Sequence, residues 1–252
     1  MHYRVAESGG DMSDTEARGH REKPWSGGGR EELSAAVRRL TAAVVTASAG
    51  PDVLHDAAAR VGAIADELAA HVPALGPVPT ARYAESRRRQ PGSMASEMPF
   101  DMIIGTCNPV APPITIVFEQ SRVVGTATFS PQHEGAPGCV HGAALAGAFD
   151  IILTAANHLE DAAGPTVELR IHYRKPTVMA QPARFEAWVT GRRGRRVESQ
   201  GRLVQNGVVT VEATGVFIVM ERARIASLHR RDNVVGAPTT PPAGDRSGDH
   251  TV

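Results

Sequence analysis

The sequence predicts an α+β domain in which one long helix is wrapped by a strongly curved antiparallel sheet, preceded by a pair of amphipathic helices. Three observations predict it. From residue 114 onward the hydrophobic patterns run strand, strand, long helix, then several strands in succession. The strand patterns repeat every two residues, and the last two are joined by Asn206-Gly207, a strong two-residue hairpin signal. The helix over 142–160 carries Ala143, Ala144, Ala146, Gly147 and Ala148, small residues that suit close contact with an enclosing sheet.

Each element follows from its local pattern. Residues 1–29 are polar and glycine-rich, as expected of a disordered N-terminus. Residues 30–100 read as a helical hairpin and a linker. In REELSAAVRRLTAAVVTA, the residues Leu33, Val37, Leu40, Val44 and Val45 recur at three- and four-residue steps. Leu54, Ala58, Val61, Ala65, Leu68 and Val72 do the same in PDVLHDAAARVGAIADELAAHV. AGP at 49–51 separates the two helices, and the charged run ARYAESRRRQPGSMASEM leads away from the second. Residues 101–222 hold the predicted α+β domain, with strands in ITIVFEQ, RVVGTATFS, VELRIHYRKP, RFEAWVTG, RVESQGRLVQ and VVTVEATGVFIVM. In the third, Val167, Leu169, Ile171 and Tyr173 are expected on one face, with Glu168, Arg170, His172 and Arg174 on the other, and Pro176 ends the strand. The Pro- and Gly-rich residues 223–252 read as a disordered tail.

Composition narrows the function. Lys and Arg number 27 against 27 Asp and Glu, so the chain as a whole makes no electrostatic bid for nucleic acid or an anionic membrane. Two cysteines, Cys107 and Cys139, are too few for a disulfide framework and show no metal-ligand spacing, so no metal or cofactor is expected. No stretch reaches the ~18 apolar residues of a membrane span, and the N-terminus has no apolar signal region. The expectation is a cytoplasmic protein.

The chemistry concentrates in GCVHGAALAGAFDIILTAA, residues 138–156, where His141 stands at the entrance of an apolar helix and Asp150 in its middle. Gly135, Pro137 and Gly138 form a loop that delivers the chain to a helix N-terminus at His141 and Gly142. Unpaired N–H groups there carry the positive end of the helix dipole, and Gly142 admits a carbonyl without a Cβ in the way. Asp150 lies eight residues on, ~12 Å along a helix. One carbonyl cannot touch both residues of one chain. Two such helices packed antiparallel about a two-fold axis would bring Gly142 of one subunit beside Asp150 of the other, so joint action of the pair demands at least a dimer.

These residues and the strand after them resemble the hotdog-fold acyl-CoA thioesterases of the PaaI-like, Asp-containing group. That family shows an HGG motif, an acid nine residues after its His, a Thr or Ser some sixteen residues beyond the acid, and a strand ending in Tyr-basic-basic-Pro. His141, Gly142, Asp150, Thr166 and Tyr173-Arg174-Lys175-Pro176 stand at those spacings, and the resemblance covers about residues 105–220. One departure is Ala143, which replaces the second glycine. The resemblance implies a hotdog fold, a homodimer or dimer of dimers, and hydrolysis of an acyl-CoA thioester. It implies Asp150 as nucleophile or general base, Thr166 as a positioner of water, Gly142 N–H as oxyanion donor, and His141 as orienter of the loop or hydrogen-bond partner near the thioester. In the cluster Arg192, Arg193, Arg195 and Arg196, it points to Arg195 and Arg196, together with His172, as contacts for coenzyme A phosphates. Phe149 and the apolar helix face are candidates for lining the acyl pocket, while Cys139 reads as a small buried residue. Two other readings stay open: an enoyl-thioester hydratase or dehydratase of the same fold, and a non-catalytic acyl-CoA sensor with the N-terminal helices as its output.

Overall fold

Where the period-two pattern begins, β1 (Thr115–Phe118) and β2 (Val123–Thr128) pair antiparallel, with Ile116 turned inward. The chain then crosses a loop into α3 (Gly142–Leu159), and the remaining strands follow: β3 (Thr166–Tyr173), β4 (Pro182–Arg193), β5 (Arg196–Gln205) and β6 (Val208–Ile218). The computed structural model describes residues 28–72, 94–95, 98–112, 114–162 and 164–220. The segments read as disordered tails and most of the linker lie outside these residues. All neighbours in the sheet, ordered β1-β2-β4-β5-β6-β3, pair antiparallel. Asn206 and Gly207 both adopt positive φ (51° and 75°), the geometry of the predicted two-residue turn between β5 and β6.

The sheet curves around α3. Along β5 the alternation is strict: Val197, Ser199, Gly201, Leu203 and Gln205 are buried and the residues between them are more exposed. Register shifts at Val167, Thr190 and Thr210 each insert one residue into the ladder, which bends the sheet around the helix. Phe149 of α3 packs edge-to-face on Phe185 of β4 (centroids 5.2 Å apart), and Phe129 on Phe185 (6.4 Å). Phe149 is completely buried. It therefore fills the core rather than lining a pocket.

The small residues expected to meet the sheet are placed differently. Of that group Ala148 alone is fully buried, whereas Ala143 is exposed and Ala144, Ala146 and Gly147 are half-buried. Close approach comes instead from Ala148, Ala155 and Ala156 on the helix and from Gly125 on β2, where a Cβ would lie 2.7 Å from the Ile152 side chain. Helix α3 is long and apolar enough to cross a membrane by composition, but its burial beneath the sheet accounts for that character.

The N-terminal helices are α1 (Gly29–Thr46) and α2 (Pro51–Ala69). Helix α1 docks through a polar side. Arg38 donates to the carbonyls of Asn108 (2.8 Å) and Thr106 (3.3 Å), Thr106 Oγ1 donates to Glu31 (3.0 Å), and Ser34 is the buried residue. Its predicted apolar stripe is only partly used: Val37 is half-buried, but Leu33, Leu40, Val44 and Val45 are exposed. Helix α2 buries none of its residues, so Leu54, Val61 and Leu68 face outward as well.

On the sheet's outer face Glu186 gathers three arginines, two of which, Arg122 and Arg184, also pair with Glu119. Glu186, whose side chain is 8% exposed, accepts from Arg202 (2.8 Å) and Arg184 (3.1 Å), with Arg122 at 3.5 Å. Burial alone would push its carboxyl up; the hydrogen bonds from Arg202 and Arg184 outweigh this and hold it below the ordinary Glu value of 4.5. Its contribution to stability is thus complete above that value and lost as pH falls through the depressed one. Thermal melts from pH 7 down to pH 3 are expected to show an acid-side drop in Tm that Glu186→Gln flattens; an unchanged profile in the variant would remove Glu186 from the account.

Candidate active site

The loop before α3 is built by its own turn chemistry. Pro137 and Gly138 (φ 73°) occupy the centre of a turn closed by Cys139 N–H donating to Ala136 O at 2.8 Å, the type II pattern that needs glycine at its third position. Glu134 Oε1 accepts from Gly138 N–H (2.6 Å), and Gly135 and Cys139 pair across the loop. The loop is then stapled to the chain after β3: Val140 N–H donates to Thr177 O and Met179 N–H to Gly138 O. Gly135 has to lack a side chain because a Cβ there would sit 2.9 Å from His141 Cα.

This loop places His141 as N-cap of α3. Its backbone is extended (φ −63°, ψ 136°), and its Nδ1 accepts from Ala143 N–H at 3.0 Å. The N–H groups of Ala144 and Leu145 go to His141 O. Within the first turn Gly142 N–H is left without an acceptor among the described residues, and Gly142 lines an open cleft of about 640 Å³. Tyr173 and Lys175, at the end of β3, line the same cleft. The Tyr173 hydroxyl donates to Gly142 O at 2.8 Å, and its ring end lies 3.1–3.2 Å from where a Cβ on Gly142 would stand. Neither Tyr173 nor Lys175 has a role among the expectations from sequence, although both belong to the Tyr-basic-basic-Pro run. That run was the signal. The bulged Thr210 carbonyl catches the N–H groups of Arg174 and Lys175 (2.8 and 3.0 Å) and turns the strand end back onto the helix terminus.

The second half of the site forms at the middle of α3. Thr166 Oγ1, at the start of β3, donates to Asp150 Oδ1 at 2.7 Å. Asp150 Oδ2 has no donor among the described residues, and the residue is half-buried. Asp150 and Thr166 thus meet, and His141 and Gly142 meet, but the two pairs are eight residues apart on one unbroken helix, ~12 Å of axial rise.

The three candidate coenzyme A contacts do not come together within one chain. Arg195 and Arg196 flank the β4–β5 turn, and Arg196 and Val197 pair with Ile218 and Phe217, which places the turn at the same end of the sheet as Thr166, itself paired with Phe217. Arg195 donates to Val219 O and Arg196 to Glu198, with both side chains reaching solvent. His172 is at the opposite end of β3, exposed beside Tyr173 and paired with Glu212. Cys139 is half-buried as a free thiol in the cleft wall.

Residues 137–212, which contain Gly142, Asp150, Thr166 and Tyr173, match the profile described as "Thioesterase superfamily". The matched stretch is thus similar to the thioesterase superfamily. Its fold agrees with the crystal structure of a thioesterase superfamily protein 27% identical to it, with a TM-score of 0.64 over 75% of this chain and 94% of that one. Other similar solved structures include the E. coli PaaI protein from the phenylacetic acid degradation operon (17% identity, TM-score 0.40, 43% of this chain and 80% of that one) and a Streptococcus mutans protein bound to acetyl CoA (16%, 0.41, 42% and 88%). No curated protein sequence matches the chain. The hotdog architecture expected from the sequence is therefore present, and the candidate site residues lie at two places along one helix.

Proposed function

We propose that the domain hydrolyses an acyl-CoA thioester at a site shared between two subunits, with Gly142 N–H of one and Asp150 of the other acting on one carbonyl. The observation that carries this reading is the Gly142 N–H at the head of α3, unpaired among the described residues and in the lining of a cleft, in a helix whose only acid is eight residues away and already oriented by Thr166. The half-exposed side of α3 bearing Ala146, Asp150 and Thr154, and the exposed edge strand β3, leave the surface that a two-fold partner would cover.

The chemistry follows from the atoms. The thioester oxygen takes the Gly142 N–H, where the helix dipole also favours developing negative charge. Thr166 engages Asp150 Oδ1, so Oδ2 is the atom that takes a proton from an attacking water or adds to the carbonyl itself. Either route forms a tetrahedral oxyanion. Its collapse breaks the C–S bond and expels the CoA thiolate, which leaves as the free thiol after taking up a proton. In the second route water then cleaves the mixed anhydride and regenerates Asp150. Arg195 and Arg196, at the Asp150 end of the sheet, are the side chains offered to CoA phosphates by the subunit that supplies the acid.

Release of free thiol from a panel of short, long and aromatic acyl-CoAs tests this reading. Turnover of at least one member is the expected result. Tight binding without turnover would replace it by the sensor, and hydration of an enoyl-CoA without thiol release by the hydratase.

A further inference from the structure

The hydrogen bonds around Gly142 form a directed chain that includes a residue no step above requires. Tyr173 O–H donates to the Gly142 carbonyl at 2.8 Å. That carbonyl belongs to the same peptide unit as Ala143 N–H, which donates to His141 Nδ1 at 3.0 Å. A donor on the carbonyl polarises the peptide and strengthens its N–H as a donor. Because Nδ1 accepts, the neutral imidazole must carry its proton on Nε2. His141 is exposed on the cleft wall, so the Nε2–H is a second donor beside the unpaired Gly142 N–H.

We propose that Tyr173 is a positioning residue of the site: through the Gly142–Ala143 peptide it strengthens the Ala143 N–H bond to His141 Nδ1 and so steadies the ring whose Nε2–H donor stands in the cleft wall. This inference rests on the thioesterase reading for its kinetic consequence alone. Two further observations support it. Burial raises the Tyr173 hydroxyl above its ordinary value, which keeps it a donor throughout the neutral range. The tyrosine also occupies the space next to Gly142, so a side chain at 142 would press on the group that donates to that residue's own carbonyl.

Tyr173→Phe removes the hydroxyl and keeps the ring. The test pairs acyl-CoA kinetics with 15N-histidine NMR at about pH 8.5, above the usual imidazole range, with the His141 signal assigned by its loss in His141→Asn. Wild type is expected to show His141 as the Nε2–H tautomer. In Tyr173→Phe that tautomer persists, because Ala143 N–H still donates to Nδ1, but the Nδ1 signal should move toward that of an acceptor nitrogen with a weaker hydrogen bond, and kcat should fall roughly 5- to 10-fold, as for one lost hydrogen bond, with KM and Tm nearly unchanged. An Nδ1 signal unchanged from wild type overturns the proposal, whether or not kcat has fallen. If wild type hydrolyses no thioester in the panel, the functional reading fails instead, and the NMR comparison alone decides the relay.

Discussion

Asp150→Asn is expected to cut thiol release by ~100-fold or more, the usual loss when an acid–base group is removed, while leaving the fold intact. The amide is nearly isosteric, Thr166 can still donate to its oxygen, and the residue is half-buried rather than sealed in the core. The variant keeps the shape of the site and loses the carboxylate proposed to accept a proton or to attack. KM should change little, because the coenzyme contacts assigned to Arg195 and Arg196 lie elsewhere. Thr166→Ala should fall less far, since it removes the orienting hydroxyl and spares the acid. Equal rates for wild type and Asp150→Asn would dismiss Asp150 as catalyst.

Gly142→Pro is expected to cost about 10²–10³ in kcat, the range seen when one oxyanion donor is removed. Proline is accepted at the first helical position, where the N–H has no intrahelical acceptor. It also suits what precedes it: His141 at φ −63° and ψ 136° already has the extended backbone required before proline. The one steric demand is on Tyr173, 3.1–3.2 Å from a Cβ at this position. Gly142→Ala meets the same contact but keeps the N–H, so the difference between the two variants in kcat isolates the donor. Matching kcat values in both would show that the oxyanion is held elsewhere.

The fold was legible because its signals are local. Alternation along β5 and β6, the Asn206-Gly207 turn and the apolar length of α3 each follow from neighbouring residues, and the structure carries all of them. Faces were harder to read. The α1 periodicity identifies an apolar side correctly, yet the helix docks through Ser34 and Arg38 because the 106–108 segment offers backbone carbonyls that only a polar partner satisfies. In β3, a bulge at Val167 and the edge position leave Val167 and Tyr173 exposed where unbroken alternation in a covered strand would bury them. At the site, Asp150 and Thr166 were named through the family resemblance, Thr166 as a positioner of water and not as the partner of Asp150 that it is, and the loop was visible as its Pro-Gly turn. The Tyr173 hydrogen bond was not, because it joins residues 31 apart through a strand end whose direction is set by the Thr210 bulge.

The central claim is that Gly142 and Asp150 of different subunits serve one carbonyl. Co-expression of Asp150→Asn and Gly142→Pro chains with different tags, followed by purification through both tags, isolates the mixed oligomer. About two-fold symmetry, a mixed dimer holds one intact composite site and one carrying both changes, so about half of wild-type activity per dimer is predicted from two nearly inactive parents. Activity that stays at the parental level, or the failure of any mixed oligomer to form, would contradict the shared site.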